Sequence, residues 1–481
     1  MKMRQLLAGV LACTLLAVHP AQVAFAEGEV AAPAAGEEKT AEQLEEEARA
    51  QAEAEKQASF DTLPETNQLE SWSAGPQVYA NSAIVMDMQS GAILYSKKAD
   101  ERHFPASITK LLTVLVALEN AELTDTVTFS QESVEFLNWD DAQIGMQPGE
   151  ELNMKDALHA ILMASANEVS YAVAESVGKT RLHGDYQTFI DLMNKRAKEL
   201  GCTGSHWVNP NGLHDEEHYT TAHDMALIAS AVYQQPEFQN IMKELEYRIP
   251  ATNLVDEERV FQQNHKMLWP ENYYYNAYCK GGKTGYTDQS GTTLVTMEDN
   301  GSLQLAAVVL QDYGPVAYDD TQAMFDYVFQ NFEKVPVSQL DQEETLTEEL
   351  KGIHGTMEEG AYVVLPKNAN GMKVQSNLEM QDATNGKVIY TYDGQVVGTA
   401  DVKAKATAVK AKTEKDKEEK EKKTSPMIWV GIVVGILVIL GLILFVIQYI
   451  RYKKRMERRR RMRRKRAAQA RKAKARKNTR N

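Results

Sequence analysis

Hydrophobic and polar positions follow two different spacings between residues 76 and 335. Alternating apolar positions around the turn Gln89-Ser90-Gly91 predict two short strands, and three more strands are predicted over 277–284, 291–298 and 303–311. Between these two groups of strands, apolar residues recur every three or four positions, which is the spacing of amphipathic helices. The helices predicted from this spacing cover 106–120, 155–177, 187–200, 221–233 and, after the last strand, 319–332. Strands at both ends with helices between them predict an α/β domain of about 260 residues, in which helices cover one sheet.

The pattern changes on both sides of this domain. Residues 336–406 contain short alternating runs separated by turn residues, so a small all-β domain is predicted there. Residues 27–70 are rich in Ala, Glu and Gln and have few large apolar groups, which predicts an acidic spacer that is disordered or transiently helical. Residues 407–425 mix Lys and Glu, as expected of a linker.

Two long apolar runs predict how the chain is placed relative to a membrane. Residues 1–26 have a basic start, an apolar stretch and the ending Ala24-Phe25-Ala26, which predicts a secretory signal peptide. Residues 427–450 form a stretch of 24 residues without a charge, which is long enough for one transmembrane helix. Residues 451–481 hold 18 Lys or Arg against one acid, and basic residues beside a membrane span stay in the cytoplasm. We therefore expect a single-pass protein of the cell membrane, with residues 76–335 extracytoplasmic and the basic tail cytoplasmic.

The net charge of −14 conceals an uneven distribution of charge along the chain. Because the basic tail contributes +17, the residues before it carry −31. Such an acidic surface keeps the exported part soluble and argues against a nucleic acid as its partner. The charge does not identify a substrate.

The peptide FPASITKLLT at 104–113 is the first candidate for chemistry. Proline suits the first turn of a helix, and the apolar positions that follow predict a helix that begins near Pro105 or Ala106. Residues three apart share a helix face, so Ser107 and Lys110 would point the same way beside unpaired backbone N–H groups. A nucleophile, a base and part of an oxyanion site would then lie within four residues. The pattern S-x-x-K alone is weak, because serine is also a common helix cap.

Two further motifs follow in order. Ser165-Ala166-Asn167 begins 58 positions after Ser107 in a turn between helices, and Lys283-Thr284-Gly285 begins 118 positions after Ser165 on a predicted strand. A glycine-flanked strand offers backbone groups to an extended substrate, and its Lys and Thr side chains can hold a carboxylate. The three motifs in this order are a much more specific signal than any one of them.

With these motifs, the sequence resembles the penicillin-recognising serine hydrolases, whose signature is S-x-x-K, S-x-N or S-D-N, and K-T-G. Within that superfamily it is most similar to the low-molecular-mass penicillin-binding proteins that act as D-alanyl-D-alanine carboxypeptidases. The peptides PASITKLLT, SANEVS, NPNGLHDEEHYTTAHDMA and KTGYT carry the resemblance, which covers residues 76–335. It implies a β-lactamase/transpeptidase-like domain with an antiparallel sheet covered by helices. The order of a β domain and then a membrane anchor fits the same family.

The resemblance also implies a reaction. Ser107 would attack the carbonyl between the two terminal D-alanines of a peptidoglycan stem peptide, and water would then hydrolyse the acyl-enzyme. Lys110 would accept the Ser107 proton, and Ser165 would relay a proton to the leaving amine. β-Lactam antibiotics would act as covalent inhibitors, and no metal or cofactor is expected.

The remaining positions are implied to bind the substrate. Asn167 would bond the substrate backbone, while Lys283 and Thr284, next to Gly285, would hold its terminal carboxylate. The backbone N–H groups of Ser107 and Tyr286 would form the oxyanion hole. Some relatives add a basic residue before the last helix to hold this carboxylate, whereas the segment here is Tyr-Asp-Asp-Thr at 318–321.

Two other functions stay open at the level of sequence. A class A β-lactamase needs a glutamate in an E-x-x-L-N loop after the second motif, and none is found there; Glu150-Glu151-Leu152-Asn153 is one residue short and precedes Ser165. A non-catalytic β-lactam receptor is the second alternative, although the basic tail shows no signalling domain. The run His214-Asp215-Glu216-Glu217-His218 fits the zinc pattern H-x-x-E-H, but the turn sequence Asn-Pro-Asn-Gly before it predicts a loop instead of a helix.

Some residues are predicted to have only structural roles. The aromatic run Tyr273, Tyr274 and Tyr275 is interpreted as packing. The cysteines that follow the signal peptide, Cys202 and Cys279, are too few for a disulfide framework. They could form one bridge or stay as buried thiols, and Cys279 is interpreted as a core residue.

Overall fold

The computed structural model describes residues 41–340, 344–369 and 374–405. The chain divides into two compact units between Glu55 and Lys56. The described α-helices are α1 (Ala41–Asp61), α2 (Lys110–Asn120), α3 (Glu132–Glu135), α4 (Met154–His159), α5 (Asn167–Thr180), α6 (Tyr186–Glu199), α7 (Ala222–Tyr233), α8 (Pro236–Met242), α9 (Val316–Asn331) and α10 (Glu344–Ile353). Short 3₁₀ helices cover Glu65–Gln68, Ala106–Thr109, Lys266–Leu268 and Val337–Gln339, and a π turn covers Ala160–Ala164.

The described strands are numbered in chain order. They are β1 (Ser82–Asp87), β2 (Ile93–Lys97), β3 (Thr126–Thr128), β4 (Glu151–Asn153), β5 (Glu246–Ile249), β6 (Arg259–Gln262), β7 (Cys279–Thr287), β8 (Gly291–Asp299), β9 (Gln304–Asp312), β10 (Phe332–Pro336), β11 (Thr356–Met357), β12 (Tyr362–Pro366), β13 (Gln375–Met380), β14 (Asn385–Tyr392) and β15 (Gln395–Lys403). All neighbouring strands in the sheets are antiparallel.

The central sheet has five strands in the order β2-β1-β9-β8-β7. Alternate residues of each strand point to opposite faces of the sheet, and helices cover both faces. Along β9, Ala306 and Val308 join the core formed with helices α2 and α4 to α8, while Ala307 and Val309 join the core formed with α9. The prediction of one antiparallel sheet covered by helices is therefore confirmed, and strand β7 is left at the edge of the sheet.

The segment after this sheet differs from the prediction in two ways. Strands β11-β15-β14-β13 form a four-stranded sheet. Helix α10 precedes these strands in the same segment, so the segment is not all-β. Strand β10 pairs with β12 along its whole length and crosses the predicted boundary at residue 335. The sequence pattern missed the helix because its single amphipathic stretch, ETLTEELKGI, is short and lies between alternating runs.

The predicted disordered spacer is a helix where it is described, since α1 covers much of it. Its alanines and glutamates are strong helix formers, which outweighs the scarcity of apolar residues. Residues 56–70 of the predicted spacer belong to the second unit, in which the Lys97 ammonium donates to the Ser59 carbonyl at 2.7 Å and Thr66 is buried. The folded part thus begins before residue 76.

The membrane predictions concern residues that lie mostly outside the described ranges. No helix within 41–340, 344–369 or 374–405 is long and apolar enough to cross a bilayer. The predicted signal peptide 1–26, linker 407–425, membrane span 427–450 and tail 451–481 all lie outside these ranges.

Candidate active site

The segment that carries Ser107 begins with an unusual backbone conformation. Ala106 has φ = 50°, in the left-handed region, so the chain turns sharply before the serine. Two hydroxyl groups hold this turn: Thr109 Oγ1 donates to the Ala106 carbonyl and Thr293 Oγ1 donates to the Pro105 carbonyl, each at 2.8 Å. Ser107 consequently lies in the single 3₁₀ turn that leads into helix α2, close to the predicted helix start.

Lys110 lies beside Ser107, as their spacing predicted. The Lys110 Nζ atom is 2.9 Å from Ser107 Oγ, 2.7 Å from Asn167 Oδ1 and 2.6 Å from the Asn211 carbonyl oxygen. The lysine is fully buried. Three oxygens therefore surround one nitrogen that water does not reach.

Burial and a second cation lower the pKa of Lys110 well below that of an ordinary lysine. Removal from water is the larger cause, because it disfavours the charged form, and repulsion from the Lys283 ammonium acts in the same direction. The carboxylates of Glu168 and Asp141 act in the opposite direction but do not outweigh burial.

Ser165 lies where two helical segments meet. The π turn Ala160–Ala164 ends at Ser165, whose φ of 62° again belongs to the left-handed region. This break turns the chain so that Asn167 can begin helix α5 with its side chain toward Lys110. The Asn167 backbone N–H donates to the Ala142 carbonyl at 2.8 Å, which holds the preceding loop over the motif.

The edge strand β7 forms the opposite wall of the site. A side chain at Gly285 would bring its Cβ to 2.8 Å from the Ser107 nitrogen, so only glycine lets the strand approach the nucleophile this closely. Lys283 is buried and donates to the Thr284 carbonyl at 2.8 Å, and burial lowers its pKa to about 7. Tyr286 follows on the strand and is 66% exposed.

An open cleft of about 510 Å³ connects these elements. Its lining residues come from all three motifs, the loop before the second motif, the segment before β7, strand β8 and the segment that begins α9: Ser107, Ala142, Ser165, Asn264, Lys266, Thr284, Gly285, Tyr286, Thr292, Gly314, Pro315 and Tyr318. Lys110 and Asn167 lie behind Ser107 and do not line this cleft. The structure thus brings the residues of the three predicted motifs to one site.

Two contributors were not predicted from the sequence. The Asn211 carbonyl accepts a hydrogen bond from Lys110, and Lys266 lines the cleft. The loop that carries Asn211 is fixed by Gly212, which has φ = 86° and where a Cβ atom would overlap the Ala106 carbonyl. The turn sequence Asn-Pro-Asn-Gly was the available signal, but it was interpreted only as a turn.

The zinc-like run is in a loop, as predicted. Both ring nitrogens of His218 are engaged, since Nε2 lies 2.9 Å from Thr109 Oγ1 and Nδ1 accepts from the Val208 backbone N–H. His214 instead packs edge-on against Phe104. The run therefore supports the turn behind Ser107.

The other residues with predicted structural roles give a mixed outcome. Cys202 and Cys279 are free buried thiols, and Cys279 belongs to the core. Tyr274 stacks on Tyr318 with ring centroids 5.0 Å apart, as the packing prediction requires. Tyr273 contacts the Tyr274 ring edge-on and is 89% exposed, and Tyr275 is 45% exposed, so neither packs in the core.

Comparison with known families identifies the chain. Residues 69–314 match the model of the peptidase S11 family, described as D-alanyl-D-alanine carboxypeptidase, and this match covers more than half of the 481 residues. The chain belongs to this family. It is a serine-type D-alanyl-D-alanine carboxypeptidase, as the three motifs indicated.

Curated relatives of this carboxypeptidase carry the same name. It is 28% identical over 349 residues to the D-alanyl-D-alanine carboxypeptidase DacF of Bacillus subtilis, which covers 68% of this chain and 85% of the relative. It is 26% identical over 354 residues to DacA of Haemophilus influenzae, with coverage of 68% and 85%.

A solved structure shares the fold of this carboxypeptidase. It is penicillin binding protein 5 of Haemophilus influenzae, which superimposes with a TM-score of 0.52 at 24% identity over 69% of this chain and 98% of that protein. The domain is therefore a penicillin-binding protein fold, an α/β fold with an antiparallel sheet and helices.

The residue that came nearest to the β-lactamase pattern has another role in the carboxypeptidase. Glu150 is buried and forms an ion pair with Arg259, with Oε1 2.8 Å from Nη1. It also accepts from Thr252 Oγ1 at 2.6 Å. Glu150, just before β4, is thus joined to the start of β6 and to the segment between β5 and β6, and it is not among the residues that line the cleft.

Proposed function

We propose that this enzyme removes the terminal D-alanine from peptidoglycan stem peptides through an acyl-enzyme on Ser107, with Lys110 as the base that accepts the Ser107 proton. The contact of Lys110 Nζ with Ser107 Oγ is the observation that carries the proposal. A neutral lysine amine has two N–H donors and one lone pair. The two carbonyl oxygens at Asn167 and Asn211 can only accept, so they take both donors. The lone pair is then left to face the Ser107 hydroxyl.

The remaining steps follow from the positions of the motif residues. The Ser107 oxygen attacks the carbonyl carbon of the scissile peptide bond, and the developing oxyanion accepts from the backbone N–H groups of Ser107 and Tyr286. The proton taken by Lys110 passes through the Ser165 hydroxyl to the leaving D-alanine nitrogen. Water then attacks the acyl-enzyme and releases the shortened peptide.

Substrate binding completes the proposal. Thr284 and Lys283 hold the terminal carboxylate, and Asn167 donates its side-chain N–H to the peptide backbone, since its oxygen is occupied by Lys110. Penicillin carries a carboxylate and a strained amide at matching positions, so it acylates Ser107 in the same way. The acyl-enzyme that it forms hydrolyses slowly.

The direct test is D-alanine release from a peptide that ends in D-Ala-D-Ala, with a labelled penicillin as a parallel probe. We expect release and labelling by the wild type and neither by Ser107→Ala. Stable labelling without any D-alanine release would instead support a non-catalytic receptor. Rapid loss of the label through penicillin hydrolysis would support a β-lactamase.

We further propose a location for the enzyme, based on the sequence beyond the described residues. The basic start and A-x-A ending of residues 1–26 favour export, and the uncharged residues 427–450 followed by the basic tail favour a single membrane anchor. The β-rich segment 336–406 would be a domain between the catalytic part and the membrane. Protease added to cells with a permeable wall should digest the catalytic part and spare the tail, whereas a protected catalytic part would contradict this topology.

A further inference from the structure

The cleft contains a cation that has no role in the reaction described above. Lys266 is the one charged side chain among the described residues that line the cleft with Ser107, Ser165 and Thr284. It is half-buried. No carboxylate of the described residues lies within ion-pair distance of its ammonium, in contrast to many exposed lysines of this chain.

Two tyrosine rings and one backbone contact fix the position of Lys266. Its ammonium lies 5.7 Å from the centre of the Tyr274 ring and 5.6 Å from the centre of the Tyr318 ring, and these rings stack on each other. Attraction to the ring faces holds a cation without neutralising it. The Lys266 backbone N–H also donates to Tyr318 Oη at 3.2 Å. The three N–H donors of the ammonium therefore stay available to an anion.

Contacts of the neighbouring residue show which end of the cleft Lys266 occupies. His265 Nε2 is 3.0 Å from Thr296 Oγ1, and Thr296 lies opposite Gly282 in the register of β7 and β8. Lys266 is thus beside the Lys283 end of β7, away from Tyr286. In the proposed reaction this is the end that receives the terminal carboxylate.

The same end of the cleft lacks another available cation. Residues 313–321 contain no Lys or Arg, although Gly314, Pro315 and Tyr318 of this segment line the cleft. Lys283 is buried with its ammonium directed to the Thr284 carbonyl, and it is not among the described residues that line the cleft. The accessible positive charge at this end is therefore that of Lys266.

We propose that Lys266 is a specificity residue that binds the terminal carboxylate of the substrate in addition to Lys283 and Thr284, in place of a basic residue before the last helix. This inference rests on the proposed function, because it assigns a ligand to the same cleft. The carboxylate would enter between Thr284 and the platform formed by Tyr274 and Tyr318. A substrate without that carboxylate would gain nothing from Lys266.

Lys266→Met tests the inference because it keeps an unbranched side chain and removes the charge. A charge-assisted hydrogen bond contributes enough binding energy for a change of about tenfold to a hundredfold. We expect KM for the D-Ala-D-Ala peptide to rise by about tenfold or more, with kcat nearly unchanged. Lys266→Arg should keep KM within about threefold of the wild type. Lys280→Met is the matched control. Lys280 is an exposed lysine near the start of β7, so its replacement should not change KM.

A second measurement separates recognition of the carboxylate from a purely structural role. The rate of acylation of Ser107 by a penicillin is compared with the rate for the methyl ester of the same penicillin. The ratio of the two rates should fall about tenfold in Lys266→Met and stay constant in Lys280→Met. An unchanged ratio in Lys266→Met, or equal loss in Lys266→Arg and Lys266→Met, would overturn the inference. If the wild type is acylated but releases no D-alanine, the proposed function fails, while the ratio still tests Lys266.

Discussion

Two buried lysines on opposite faces of the central sheet can be compared directly. Lys97, at the end of β2, donates to the carbonyls of Ser59, Val78 and Ala80, each at 2.7 Å. Lys110, at the start of α2, likewise has three oxygens around its nitrogen, and neither side chain is reached by water. In burial and in number of close acceptors the two sites are alike.

The charged neighbours and the chemical nature of the acceptors distinguish the two lysines. Burial lowers the pKa of Lys97 to about 8, and attraction from Asp320 and Asp312 limits that fall, so Lys97 stays largely charged at neutral pH. Lys110 instead has no carboxylate strong enough to offset burial and the repulsion from Lys283. Its hydroxyl partner, Ser107 Oγ at 2.9 Å, lines the cleft, whereas the Ser59 hydroxyl 3.2 Å from Lys97 already donates its proton to the Ala80 carbonyl. A buried lysine therefore acts as a base only where the hydroxyl beside it has a proton to give.

The largest expected effect comes from replacing each lysine with arginine, which stays protonated in either site. Lys110→Arg should lose acylation by penicillin and peptide by a factor of about 10³, because general-base catalysis contributes about 10² to 10⁴. Lys97→Arg should keep the acylation rate of its folded molecules within about threefold of the wild type, since it does not contact the site. The measurement is the rate of labelling with a fluorescent penicillin, and Ser107→Ala gives the background. Near wild-type labelling of Lys110→Arg would make Ser165, supported by Lys283, the first alternative base.

The second prediction concerns stability. Lys97→Met leaves three buried carbonyls without their donor, so the free energy of unfolding should fall by about 2 to 4 kcal/mol. The acylation rate well below the melting temperature should not change. Lys98→Met is the matched control, because Lys98 forms only a partly exposed ion pair with Glu101, and its loss should cost about 0 to 1 kcal/mol. Denaturant unfolding measures both variants. Equal stability of the two variants would show that Lys97 does not hold the segment from Ser59 to Ala80.

The smallest expected effect is a pH dependence on the Lys97 side. Burial, with repulsion from Asp320, raises the pKa of Asp312 to about 8. A raised carboxyl pKa stabilises the fold fully below the ordinary value and progressively less as the pH rises toward the folded value. Asp312 should therefore lower the free energy of unfolding as the pH rises from 5 to 6.5, by about 2 kcal/mol.

The variant Asp312→Asn isolates this contribution. It keeps the oxygen that accepts from the Tyr313 backbone N–H and cannot ionise, so its unfolding free energy should decrease less than that of the wild type over the same pH range. The exposed Asp319→Asn is the control and should follow the wild type. Parallel pH profiles for the wild type and Asp312→Asn would show that the pKa of Asp312 is not raised in the folded protein.

Local sequence signals were sufficient for much of the catalytic side of the molecule. The spacing of Ser107 and Lys110 defined one helix face, and the strand pattern placed Lys283 and Thr284 on the correct element. The helix predicted over 155–177 is instead interrupted at Ser165. The resemblance to a known family then connected the order of the motifs with a reaction. These features depend on residues that are close in sequence or on motifs that are individually recognisable.

Contacts between distant segments could not be predicted in the same way. The Asn211 oxygen that Lys110 contacts belongs to the backbone, and every residue carries such an oxygen. Lys97 is one lysine of many, and only the fold places it under the carbonyls of Ser59 and Ala80. Lys266 begins a short 3₁₀ helix that no periodic pattern indicated, and its position depends on rings that come from two separate segments.

The position of strand β10 determines where a chimera of this protein and a relative should be joined. Its five residues, from Phe332 to Pro336, directly follow helix α9 and each pair with a residue of β12 in a separate two-stranded sheet. A breakpoint after residue 335, where the sequence pattern changes, would divide this strand, so that most of β10 would come from one parent and its partner β12 from the other. A chimera that exchanges the β-rich segment should instead be joined before Phe332, at the end of α9, so that both partners of the ladder come from one parent.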